Sequence, residues 1–130
     1  LLASPTRTPA DGNDLDPPAG IAPHIPKNIR GYFLIFLVDP PTPKEMPQEL
    51  FLQHQAYLRQ QVEAGTVKLV GPLTDGGRIR GMKIVSAATA EQARAIAEGD
   101  PAVKAEVFAV EVHPAMFPSL SGLKIEYNKK

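Results

Sequence analysis

His54 and Asp75 are the two side chains of this 130-residue chain whose types and placement suit proton transfer. His54 lies in LFLQHQAYL, a stretch with helical periodicity, and Asp75 follows the step Gly71-Pro72. Histidine suits acid/base work because its pKa lies near neutrality. A carboxylate beside it orients the ring. The two stand at opposite ends of one helix–turn–strand unit, Gln48 to Asp75. If both ends fold onto one side of a sheet, the pair can move a proton on a cyclic enol or lactone without metal or cofactor. The expected catalytic groups are therefore His54 and Asp75, and no cofactor is expected. The alternative is structural: His54 bonded to a backbone carbonyl in the core, and Asp75 capping the Gly76-Gly77 turn.

Other groups carry weaker expectations. Arg78 and Arg80 flank Ile79 beside the glycine pair and are candidates for holding an anionic substrate, although exposed hairpin charge reads the same way. Asp100, before Pro101, is a further substrate-binding candidate, and equally an Asx-type residue at a helix end. His113 and His24 read as surface residues. A zinc site from His54, His113 and one acid lacks any recognisable ligand spacing, so no metal is expected. Gly76-Gly77 is not a phosphate loop, because no Lys-Ser/Thr and no helix follow it.

Composition narrows the classes further. Lys plus Arg equals Asp plus Glu at 14 each, for a formal net charge of zero. Nucleic acid and anionic membrane, which need a basic surface, are not expected partners. A neutral chain can also associate closely with itself. The absence of cysteine removes disulfides, thiolate catalysis and Cys-ligated zinc. No apolar run reaches the ~18 residues of a membrane span. Leu1-Leu2-Ala3 is compatible with the end of a signal-peptide apolar region, which would place the protein outside the cytoplasm; otherwise a cytoplasmic location is expected.

The elements that must position these groups follow from periodicity. Residues 1–30 hold six of the 14 prolines and no apolar period, which predicts an extended leader. Gly31 to Val38 is apolar throughout and reads as a central strand covered on both faces. A helix begins near Pro47, with Leu50, His54, Leu58 and Val62 on its inward stripe and Gly65 as its left-handed stop. Thr66–Val70 and Gly81–Ser86 form a hairpin about the glycine pair. Thr89 and Gln92 form a capping box for a second helix, whose inward Ala93, Ile96 and Ala97 imply close approach to the sheet. Gly99-Asp100-Pro101 ends it. Glu106–His113 alternates strictly and is the fourth strand, with Phe108, Val110 and Val112 on one face. Residues 118–130 form a tail, either an added edge strand at Leu123–Tyr127 or a frayed end.

The order β-α-β-β-α-β predicts an α+β, ferredoxin-like sheet with both helices on one face. Its other face is apolar and uncovered. Two copies stacked sheet on sheet would cover it, as a barrel-like homodimer.

With these elements placed, residues 31–117 resemble the YciI-like (YCII-related) domain family. The resemblance rests on YFLIFL, the helix histidine of LFLQHQAYL, the Gly65 turn, VGPLTD, TAEQARAIAEGDP and the closing strand with Pro114. It implies a dimeric α+β barrel, a pocket between the first helix and the sheet, and a His–Asp pair that maps to His54 and Asp75. Asp100-Pro101 matches the family's acid–proline step. The implied chemistry is isomerase- or lyase-like, on a small cyclic or enol substrate. A non-catalytic dimeric module that binds a small ligand is the competing expectation. Geometry discriminates the two: a His–carboxylate contact at an open cleft favours the enzyme, and a sealed histidine disfavours it.

Overall fold

The computed structural model describes residues 24–128. The proline-rich leader expected over 1–30 lies outside them except for its last residues. Of these, His24 is exposed and Ile29 already opens the first strand.

The elements run β1 (Ile29–Val38), α1 (Gln48–Glu63), β2 (Val67–Pro72), β3 (Ile79–Val85), α2 (Ala90–Glu98), α3 (Pro101–Lys104) and β4 (Ala109–Pro118). The four strands form one antiparallel sheet in the order β2-β3-β1-β4. This is the α+β, ferredoxin-like arrangement expected from the element order. No helix among the described residues is long and apolar enough to cross a membrane.

Side-chain alternation assigns the two faces of the sheet. Phe33 and Ile35 of β1, Val67 of β2 and Val85 of β3 form a buried cluster with Ala93 and Ala97 of α2. Val62 of α1 packs at its margin. Both long helices therefore cover the same face. Ala93 and Ala97 are fully buried, and their short side chains let α2 sit close to the strands. The opposite face carries Leu34, Phe36, Met82 and Ile84, with Leu69 at its edge 38% exposed.

Local sequence explains the ends. Gly65 takes φ 81°, and its N–H bonds to Val62 while that of Thr66 bonds to Gln61. This double closure stops α1 and turns the chain into β2. Thr89 Oγ1 accepts from Gln92 N at 3.0 Å. Gln92 Oε1 accepts from Ala88 N, one residue before the cap, rather than from Thr89 itself. The expected capping box is thus half formed, with its return bond shifted by one residue.

The largest departure lies between α2 and β4. The chain does not leave α2 directly for a strand. Asp100 caps a further helical turn, α3, and Glu106 adopts φ 63° while Val107 and Phe108 both donate to the Ala102 carbonyl. These bonds consume the residues expected to open the last strand, so β4 starts at Ala109 and runs to Pro118 along the whole of β1. The expected faces survive, because parity does not depend on where a strand begins. Pro114 and Pro118 are tolerated because β4 is an edge strand. After it the tail is irregular rather than a fifth strand. Leu120 N donates to the Tyr32 hydroxyl, and the Arg59 guanidinium lies 4.4 Å from the centre of the Tyr127 ring.

Candidate functional site

α1 delivers His54 to the covered side of the sheet. His54 and Leu58 are the buried residues of this helix, one turn apart, and His54 keeps 7% of its surface. The carboxylate that meets it is Asp100. Asp100 Oδ2 lies 2.6 Å from His54 Nδ1. Asp100 is fully buried, and its other oxygen accepts from Ala102 N at 2.9 Å. One acid therefore does two jobs. It caps α3, where Pro101 has no N–H to offer, and it fixes the imidazole ring. With a carboxylate acceptor Nδ1 is the donor, so in the neutral ring the lone pair stands on Nε2. Nε2 makes no hydrogen bond to the described residues.

Asp75, expected as the partner, is not brought to His54. It is exposed at the tip of the β2–β3 hairpin, where Oδ1 accepts from Gly77 N at 3.1 Å. The hairpin tip is exposed, whereas the α2–α3 corner packs against α1. The structure pairs His54 with the acid–proline step 46 residues away instead.

His54 opens onto a cavity of about 450 Å³ between α1, β2 and β3. Its walls are mostly apolar, with Met46, Phe51, Leu58, Val70 and Phe108 among them. The Phe51 and Phe108 rings flank the imidazole at 6.4 and 5.9 Å between centres. Ile125 and Tyr127 of the tail close one side. The volume and lining suit one small, flat ligand.

A further basic group lines the same cavity. Lys83 of β3 pairs with Ile35 across the sheet and so points to the covered face. Only 1% of it is exposed, and Nζ has no hydrogen-bond partner among the described residues. Nζ lies 5.8 Å from the centre of the Tyr57 ring. Burial lowers the pKa of this amine, and the charge of Asp100 opposes that shift. Tyr57 donates its hydroxyl to the Ile96 carbonyl at 2.7 Å. Burial raises its pKa, and Asp100 raises it further.

Sequence reading missed Lys83 because GMKIVS shows only partial alternation. A lysine between Met82 and Ile84 looks like the outward residue of a half-buried strand. The available signal was parity, since Lys83 shares its face with Val85.

The remaining candidates are scattered. Arg78 bonds Glu111 at 3.0 Å on the surface. Arg80 bonds Asp39 at 3.2 Å and lines the cavity beside Gly81. His113 is exposed, with Nε2 4.0 Å from Glu111 and its ring edge-on to Phe36.

The profile of the YCII-related domain matches residues 32–115. No curated protein sequence matches. Among solved structures, the chain is similar to 5-chloro-2-hydroxyhydroquinone dehydrochlorinase from Burkholderia phenoliruptrix, determined in complex with 2,5-dihydroxybenzoquinone. The two are 24% identical, with a TM-score of 0.52, over 63% of this chain and 90% of the other. That likeness is one of fold.

Proposed function

The chain belongs to the YCII-related domain family, and from that premise we propose that it is a small enzyme that moves a proton on a cyclic enol or hydroxylated ring. His54 is the acid/base group, and Asp100 orients it. The observation that carries this reading is the division of labour on one ring: Nδ1 is held by a buried carboxylate at 2.6 Å, and Nε2 has no partner among the described residues and stands beside an apolar cavity. The dehydrochlorinase of similar fold, determined with a dihydroxybenzoquinone, supports a six-membered oxygenated ring as the substrate class.

The chemistry needs a base that accepts a ring or α-carbon proton and returns it to a neighbouring atom or a leaving group's site. Nε2 can do both without leaving the cavity. The Nδ1–H···Oδ2 bond keeps the ring aimed and stabilises the imidazolium formed when Nε2 takes the proton.

The test is hydrogen–deuterium exchange at carbon in small cyclic enols and hydroxyquinols, followed by NMR, together with chloride release from chlorinated hydroxyquinols. Wild-type protein should catalyse one of these and His54→Gln should not, with unchanged circular dichroism. A folded His54→Gln protein that retains full turnover would overturn the assignment.

We further propose that the uncovered sheet face pairs with a second copy. Leu34, Phe36 and Met82 lie half-buried there with Leu69 exposed at the edge, and the formal net charge of zero offers no long-range repulsion.

A further inference from the structure

Lys83 is the feature that proton transfer by His54 leaves unused. It is a buried amine whose nitrogen has no hydrogen-bond partner among the described residues. Such a group is costly to leave without a partner, so its place in a cavity wall points to a ligand atom as the missing one. We propose that Lys83 takes the hydroxyl proton of a small cyclic enol or phenol bound in this cavity and then holds the resulting oxyanion with its ammonium. The inference rests on the reading of the cavity as a site for an oxygenated ring and deepens it by assigning the oxygen end.

The neighbours leave this role to Lys83. Both oxygens of Asp100 are occupied, by His54 Nδ1 and Ala102 N. The Tyr57 hydroxyl is turned to the Ile96 carbonyl. Arg80 is exposed and bonded to Asp39. On the facing strands Lys83 meets Ile35 of β1 and Val70 of β2, which are apolar. Gln55 and Tyr127 also line the cavity but are exposed at its rim, and His54 Nε2 is used by the carbon chemistry.

The step balances within the pair. The substrate O–H bond breaks, its electron pair stays on oxygen, and the proton forms a third N–H bond on Nζ. No oxidant or other reactant is needed. Burial disfavours the ammonium while the cavity is empty, and the arriving oxyanion and the nearby Asp100 favour it afterwards. Nζ is covered in the empty cavity, so the last torsions of the lysine stem must rotate to meet the ligand. Ionised enol or phenol is electron-rich at carbon, which favours return of the proton that His54 Nε2 has taken.

The probe is 4-nitrophenol, whose ionised form is yellow, titrated with the full chain at a pH where the free probe is mostly colourless. Wild-type protein should develop a saturable nitrophenolate band equivalent to a roughly tenfold shift in the probe's ionisation, or about one pKa unit. Lys83→Met should lose the band, whereas His54→Gln should keep it while losing turnover. The two assignments can therefore fail separately. A second reading needs no variant. In weak buffer with a pH indicator, the band should appear without matching proton release, because the proton moves from oxygen to nitrogen. Absence of the band in wild-type protein, its survival in Lys83→Met, or release of one proton per nitrophenolate formed would each overturn the proposal.

Discussion

Asp100 Oδ2 and His54 Nδ1 meet at 2.6 Å inside the protein, although 46 positions separate them in the chain. The bond ties the corner between α2 and α3 to the middle of α1. Packing of that corner and aim of the imidazole are therefore one structural event.

Two carboxylates can be set against each other on this point. Asp100→Asn keeps the cap on α3 but replaces the charged acceptor of His54 Nδ1. It should cost about 1–3 kcal/mol of stability and lower turnover by more than tenfold. Asp75→Asn, at an exposed turn, should stay within about 0.5 kcal/mol of wild type with unchanged turnover. Urea unfolding and a steady-state assay of both variants check this. Equal losses in the two would contradict the pairing.

Lys83 gives a pH signature in stability. Burial holds its folded-state pKa below the ordinary 10.5, against the pull of Asp100. Between that lowered value and 10.5 the unfolded chain binds the extra proton, so stability rises with pH across this window. Tyr57 is held above its ordinary 10.0, so it acts in the opposite sense and lowers stability only above pH 10. Lys83→Met should flatten the rise and stabilise the protein near neutrality by about 1–3 kcal/mol. Chemical unfolding at several pH values measures both effects; an unaltered slope would show that the amine is not the source.

Gly99 is required by a close approach rather than by its backbone angle. A Cβ there would stand 2.5 Å from the Tyr57 hydroxyl, which is fixed by its bond to Ile96. Gly99→Ala should destabilise by about 1–3 kcal/mol through overpacking. Adding Tyr57→Phe removes the clashing oxygen, so the double variant should be more stable than the sum of the two single losses. A double-mutant cycle reads this coupling, and strict additivity would place the strain elsewhere.

The uncovered sheet face should make the protein a dimer. Sedimentation velocity is expected to give about twice the chain mass of 14.0 kDa. Phe36→Glu, in the middle of that face, should shift the protein to monomer with its secondary structure retained. A monomeric wild type at high micromolar concentration would rule the pairing out.

Much of this was legible in the sequence because it is local. The four-residue recurrence from Leu50 to Val62 placed His54 on the inward stripe, where it is buried. Gly65 stops α1 by the expected left-handed turn, since only its own backbone and the preceding turn are involved. Thr89 caps α2 for the same reason. The order of strands and helices then fixed the sheet, because few topologies connect those elements without crossing. Two decisions needed the tertiary structure. The first was which acid meets His54. Spacing favoured Asp75, close in sequence, but the contact depends on where the α2–α3 corner packs, and local pattern carries no information about that. The second was the side of β3 that Lys83 takes. Parity puts Lys83 on the face of Val85, but both faces of this strand are apolar, so only the pairing with Ile35 across the sheet decides that this face is the covered one.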